Sequence, residues 1–68
     1  MRKYWLFIRS KTTLERVKSK LPEISLNFVW NELLGAGFET EIMLDRQQLI
    51  NLRVKLSNCK YILLKVKH

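Results

Sequence analysis

Three stretches of the chain have the hydrophobic pattern of β-strands, and each is bounded by charged or turn residues. Residues 3–9 are the clearest case, because they form a continuous run of aromatic and aliphatic side chains that is flanked by charge. Residues 38–44 begin to alternate directly after Gly37, and residues 60–67 form the last such stretch. The sequence therefore predicts three strands, one near each end of the chain and one in its middle.

A helical spacing follows the first predicted strand. Thr12 and Glu15 match a capping box, in which each side chain accepts a hydrogen bond from the backbone N–H of the other residue. Pro22 excludes Leu21 from helical geometry, so we expect the helix to end there. Its buried face is predicted to consist of the apolar residues at helical spacing, Leu14, Val17 and Leu21.

A second helix is predicted after the middle strand. Asp45 and Gln48 match another capping box, and Asn58 has the left-handed tendency of a residue that ends a helix. The apolar stripe of this helix is formed by Leu49, Leu52 and Leu56 and is expected to be widened by Ile50 and Val54.

Residues 24–34 match two periodicities, and the fold depends on which one prevails. The strand pattern is the alternation of Ile24, Leu26, Phe28 and Trp30. The helical pattern is the spacing of Leu26, Val29, Trp30, Leu33 and Leu34. Ser25 supplies an N-cap, and Gly35 or Gly37 supplies a C-terminal stop. We favour the helix, with Trp30 in the core, because a strand would leave the two leucines at its end in a loop.

These elements predict one α+β domain over residues 1–68. With the helix, the order is β-α-α-β-α-β, and a small three-stranded antiparallel sheet carries the helices on one face. If residues 24–30 are extended instead, the order is the ferredoxin-like β-α-β-β-α-β.

Composition narrows the range of functions. The chain of 68 residues is 47% hydrophobic, which excludes a disordered tail, and so small a domain leaves little room for a deep catalytic cleft. Cys59 is the only cysteine and His68 the only histidine, so no intramolecular disulfide, cysteine zinc cluster or histidine-based catalytic group can be assembled. We therefore expect a protein that is not an enzyme and has no catalytic residues, cofactor or metal site.

The expected location is the cytoplasm. A basic domain without a disulfide suits a reducing compartment. No apolar stretch approaches the ~20 residues that a membrane span needs. The apolar run over residues 4–8 is too short for a signal peptide, and Arg9 ends it without a cleavage site.

Charge is strongly segregated along the chain, within a formal net charge of +7. Residues 1–20 hold seven bases and one acid, residues 21–45 hold five acids, and residues 46–68 hold six bases. If the two basic segments meet in space, the domain has one strongly basic side, which favours an anionic partner. The acidic middle segment equally favours contact with the basic side of a second copy. Within it, Glu39 and Glu41 are expected to form a solvated sheet edge.

The favoured element order resembles the C-terminal domain of the bacterial ribosomal stalk protein, a fold shared by the Clp protease adaptor. The lysine-rich helix at residues 13–18, a second helix opening near Leu26 with a glycine end, and an acidic N-cap before a leucine-rich helix and a terminal strand carry the resemblance. It implies a non-catalytic docking surface, because basic residues of the first two helices engage translation factors in that family. By position, Arg16 and Lys18 occupy the matching surface.

From this resemblance and from the charge, we predict a small basic binding module that docks an acidic protein partner. The docking residues are expected to be the cations of the first helix, Lys11, Arg16, Lys18 and Lys20.

The predicted sheet suggests a second function. The aliphatic sets of the first and last strands, Tyr4, Leu6 and Ile8 with Ile62, Leu64 and Val66, are expected to face the helices. The open face then carries aromatic residues among cations, namely Lys3, Trp5, Phe7, Arg9, Tyr61, Lys65 and Lys67. Such a face suits single-stranded nucleic acid, whose bases stack while its phosphates meet cations. The alternative is that this face is buried in a homodimer.

Overall fold

The computed structural model describes residues 1–32 and 36–66, and six helices and strands follow one another within them. They are β1 (Arg2–Ile8), α1 (Lys11–Lys20), β2 (Val29–Asn31), β3 (Gly37–Leu44), α2 (Arg46–Lys55) and β4 (Ile62–Lys65). The α+β class is confirmed. The three predicted strands form as β1, β3 and β4, and the first and last predicted helices form as α1 and α2.

The strands form one antiparallel sheet in the order β2-β3-β1-β4. β1 pairs with β3 along its whole length, from Arg2 opposite Leu44 to Ile8 opposite Phe38, and β4 pairs with its other side. The β-α-β-β-α-β order is the ferredoxin-like alternative. The predicted sheet therefore gains one short strand, β2, at its edge.

The predicted helix over residues 24–34 is wrong in its described part, residues 24–32. Up to Phe28 the chain follows the strand periodicity, because alternate side chains are half-buried against the core while the intervening ones are exposed. The half-buried residues are Ile24, Leu26 and Phe28. The two predicted leucines at 33 and 34 and the predicted stop at Gly35 lie outside the described residues. Gly37, the other predicted stop, begins β3.

A cross-strand contact explains why this segment ends as a strand. Trp30 lies opposite Phe38 in the sheet, and the two rings meet edge to face with 5.0 Å between their centroids. Aromatic pairs of this geometry stabilise neighbouring strands. Trp30 was expected in the core, but 49% of its surface is exposed, because β2 is an edge strand.

Both helices begin at side-chain caps. The predicted box at α2 is confirmed, since the Gln48 backbone N–H donates to Asp45 Oδ1 at 2.7 Å and the Asp45 N–H donates to Gln48 Oε1 at 3.0 Å. At α1 the predicted box is wrong. The cap is Ser10, whose Oγ accepts from the Thr13 N–H at 3.4 Å, and Thr12 lies inside the helix.

The hydrophobic core lies between the helices and one face of the sheet. Buried residues of β1 and β3 meet the predicted stripe of α1, Leu52 of α2 and Leu56, which directly follows α2. The set comprises Leu6, Ile8, Leu14, Val17, Leu21, Ile42, Leu44, Leu52 and Leu56. Since both helices cover the same face, no helix of the described residues covers the opposite face of the sheet.

Candidate docking surfaces

The outer sheet face is the side of the sheet that points away from the helices. Residues directly opposite each other in an antiparallel pair project to the same side, so the register defines this face. Its members are Lys3, Trp5, Phe7, Val29, Asn31, Gly37, Glu39, Glu41, Met43, Ile62 and Leu64.

The predicted orientation of β4 is wrong. Ile62 lies opposite Phe7 and Leu64 opposite Trp5, which places both aliphatic residues on the outer sheet face. Tyr61 packs against the helix-side core, and Lys65 lies opposite Tyr4 on the helix side. The last strand has apolar residues on both of its faces, so its alternation alone could not set the orientation; the register with β1 sets it. Lys67 lies outside the described residues.

Phe7 is not available for stacking with a base, because only 2% of its surface is exposed. Trp5 covers it, with 5.2 Å between ring centroids and an interplanar angle of 13°. Gly37 closes the other approach, since a Cβ built there would lie 2.3 Å from Phe7 Cζ. The two predicted aromatic residues of β1 therefore stack on each other.

Carboxylates occupy the middle of the outer sheet face. The Trp5 indole Nε1–H donates to Glu39 Oε2 at 2.9 Å, and the Asn31 amide donates to Glu39 Oε1 at 2.8 Å. Glu41 forms an ion pair with Lys3 at 3.6 Å. Glu41 is exposed where β3 extends beyond β2, in agreement with the predicted solvated edge, whereas Glu39 is half-buried opposite Val29 of β2. Two acids and one base give this face a charge that repels phosphate.

The cations predicted on the first helix lie on the surface of α1. Lys11, Arg16 and Lys18 are exposed, and Lys20 is half-exposed. Arg16 and Lys20 are four residues apart and share one side of the helix, whereas Lys11 and Lys18 lie on the other flank. The ion pairs among the described residues are formed by Lys3 and Lys55, so these four cations take part in none of them.

The second helix exposes an apolar ridge that the sequence analysis assigned to the core. Ile50 is 49% exposed and Val54 is 69% exposed. Each lies two residues from the buried Leu52, and two residues correspond to a rotation of about 200° around a helix. The spacing in the sequence therefore already places both side chains on the side opposite the core. The exposed Arg46 and Arg53 flank the ridge.

The helical face is the surface that α1 and α2 present to solvent on one side of the sheet. We define it by the six cations and two apolar residues Lys11, Arg16, Lys18, Lys20, Arg46, Ile50, Arg53 and Val54. The two helices contain seven basic residues and a single acidic one, Glu15. The basic side of the domain is therefore the side covered by the two helices.

Other predicted residues of the aromatic face separate to opposite ends of the sheet. Phe7, Arg9 and Tyr61 line one pocket together with Lys60, where β1 ends and β4 begins. Lys65 lines a groove at the other end, beside Arg2 and Arg46. The predicted set of seven is thus not one continuous surface in the described part of the chain.

Comparison with known proteins gives no family assignment: no family model matches the chain, and no curated protein matches it significantly. The resemblance to the ribosomal stalk domain stays a prediction. The second helix that it implied near Leu26 is not formed up to Glu32, the last described residue before the gap.

The described residues also limit the chemistry that the chain shows. Among residues 1–32 and 36–66, no helix is long and apolar enough to cross a membrane. Within the same ranges, no group of three or more histidine, cysteine, aspartate or glutamate side chains is placed to hold a metal ion. Cys59 is a free thiol, half-buried against the core.

Proposed function

We propose that this protein is a small non-catalytic binding module that docks an acidic protein partner through its helical face. The observation that carries the proposal is the segregation of charge between the two sides of the sheet. The helices carry seven bases and one acid, whereas the outer sheet face carries one base and two acids.

This segregation gives the domain an electric dipole across its sheet, with the positive end on the helical face. A surface of one charge sign attracts partners of the opposite sign and raises their association rate. The cations of α1 suit such a role because they have no ion-pair partner among the described residues. A partner's carboxylates would therefore replace water and counter-ions rather than a carboxylate of the chain itself.

The apolar ridge favours a protein partner over a nucleic acid. Ile50 and Val54 form an aliphatic centre with Arg46 and Arg53 beside it, which is the usual arrangement of an interface with an apolar core and a polar rim. Neither helix contains an aromatic residue on which a base could stack. An acidic segment with apolar side chains on one face fits both features.

Charge reversal tests the proposal. Partners are captured from cells that make the protein, with the wild type, with Arg16→Glu/Lys18→Glu and with the matched control Arg2→Glu/Lys65→Glu, and are quantified by mass spectrometry. The control makes the same change in net charge outside the helical face. We expect proteins that the wild type enriches to be lost at least tenfold with the α1 variant and kept with the control.

Two outcomes would overturn the proposal. Equal loss with both variants would mean that net charge alone attracts the partners. An unchanged set of partners with the α1 variant would mean that another surface binds them. Treatment of the lysate with nuclease before capture separates protein partners from nucleic acid, because a partner bridged by nucleic acid is lost in that step.

A second partner is favoured for the outer sheet face, namely another copy of the chain. Val29, Met43 and Leu64 are exposed there around the stacked pair of Trp5 and Phe7. The domain measures 30 × 29 × 18 Å, so its broad side matches the ~800 Å² that each partner buries in a standard interface. Sedimentation tests this: Leu64→Glu is expected to give a monomer where the wild type gives a dimer, and a monomeric wild type would contradict it.

A further inference from the structure

A pocket at one end of the sheet lies outside the helical face and shares only Phe7 and Ile62 with the outer sheet face. It forms where β1 ends, α1 begins and β4 starts, and its volume is about 260 Å³. Its lining is mostly apolar and comprises Phe7, Arg9, Ser10, Thr13, Lys60, Tyr61 and Ile62. The side chain of Phe7 is fixed by its stack with Trp5, so part of the pocket wall is rigid.

Charge in this pocket has a single sign. Arg9 and Lys60 are exposed residues of the lining, and no acidic residue among residues 1–32 and 36–66 lines the pocket with them. Neither cation belongs to an ion pair among the described residues. An apolar wall with two unpaired cations is complementary to a molecule that joins a ring to an anionic group.

We propose that this pocket binds a small organic anion, with its ring against Tyr61 and Ile62 and its anionic group between Arg9 and Lys60. The size of the pocket sets the size of the ligand. Sites for drug-sized molecules occupy ~300–1,000 Å³, and a pocket just below that range fits one ring with one substituent. Two cations favour a doubly charged group, so we expect phosphate monoesters to bind more tightly than carboxylates.

The test compares simple probes that carry the ring and the charge together or apart. Phenyl phosphate and phenylacetate carry both, inorganic phosphate carries only the charge, and benzyl alcohol carries only the ring. Each is titrated into the ¹⁵N-labelled protein at low ionic strength and followed by chemical-shift changes. We expect phenyl phosphate to shift the amides of Arg9, Ser10 and Tyr61 and to bind at least fivefold more tightly than either single-feature probe.

Two variants assign the binding to this pocket. Arg9→Ala/Lys60→Ala is expected to weaken phenyl phosphate about tenfold, because it removes the charge-assisted contacts. The matched control Lys18→Ala/Arg53→Ala removes two exposed cations from the helical face and is expected to leave the affinity unchanged. Wild-type-like dispersion of the amide spectrum shows that each variant is folded.

The proposal is overturned if phenyl phosphate binds no better than inorganic phosphate, if its shifts lie outside the pocket, or if the double pocket variant keeps wild-type affinity. It does not depend on the docking function. If the pocket does not bind the ligand, the capture of partners through Arg16 and Lys18 is unaffected. If no partners are captured, binding of the ligand in the pocket is equally unaffected.

Discussion

At the scale of single residues, the contact between Gly37 and Phe7 is the tightest constraint on the outer sheet face. A Cβ at position 37 would lie 2.3 Å from Phe7 Cζ, 2.7 Å from Phe7 Cε2 and 3.1 Å from the Ile8 carbonyl oxygen. The ring cannot retreat freely, because Trp5 stacks on it. Position 37 therefore has room for a glycine but not for a side chain.

We predict that Gly37→Ala destabilises the fold by about 1–3 kcal/mol, which is the usual cost of overpacking a fixed site. Urea unfolding measures it. Phe7→Leu serves as the matched background, because it shortens the side chain that the new methyl group meets. The cost of Gly37→Ala should be smaller in that background, and an equal cost in both would contradict the contact.

The pair of Glu23 and Lys55 joins α2 to the segment after α1. The Lys55 ammonium donates to Glu23 Oε1 at 2.9 Å, and this hydrogen bond, followed by one from the Glu23 backbone, lowers the Glu23 pKa below its ordinary value of 4.5. A lowered pKa in the folded state stabilises the fold at pH values above 4.5, and that contribution is lost as the pH falls through the folded value.

Lys55→Met is therefore expected to raise the Glu23 pKa toward its ordinary value. The measurement is an NMR titration of the Glu23 carboxyl carbon in both proteins. Lys18→Met is the control, because it removes a cation from the other helix, and it should leave the Glu23 pKa as it is. A pKa that is the same in wild type and Lys55→Met would contradict the assigned cause.

At the scale of elements, the sequence predicts correctly those elements that depend on interactions between residues close together in the chain. The strands β1 and β3 and the box of Asp45 and Gln48 follow from short patterns, and the structure contains them. The helix predicted over residues 24–34 is wrong for residues 24–32, because both periodicities are present in the sequence. The contact of Trp30 with Phe38, eight residues away, decides between them, and no local pattern encodes it.

The candidate site was predictable in part for the same reason. The cations of α1 are exposed as expected, because a stripe of three apolar residues on a helix fixes which side is outward. In β4 both faces are apolar, so the sequence left the orientation of Tyr61 and Lys65 to the register with β1. The exposure of Ile50 and Val54 was available from their angular distance to Leu52.

The start of α1 gives a prediction for an element. Ser10→Ala should destabilise the fold by about 0.5 kcal/mol, at the low end of cap losses because the Thr13 N–H lies 3.4 Å from Ser10 Oγ. Thr12→Ala should change stability by less, since Thr12 is exposed inside the helix. The stabilities of both variants are compared by thermal unfolding. A larger loss of stability for Thr12→Ala than for Ser10→Ala would mean that Thr12 is the N-cap, as the sequence predicted.

At the scale of the whole molecule, the fold rearranges the charge that the sequence distributes in three segments. Pairing of β1 with β4 brings the first and last basic segments together, as expected. The acids Glu39 and Glu41 then lie in the sheet between Lys3 and the edge strand β2, and the helices carry most of the positive charge. The domain is polarised across its sheet.

This polarity is tested most directly by mapping where anionic probes bind. The ¹⁵N-labelled protein is titrated separately with an acidic amphipathic peptide and with single-stranded oligothymidylate. Our account predicts that the peptide shifts amides over residues 16–20 and 46–54 and leaves residues 3–7 and 39–43 unmoved, and that it binds more tightly than the oligonucleotide. Shifts centred on Trp5 and Glu39, or tighter binding of the oligonucleotide with quenching of Trp5 fluorescence, would contradict it.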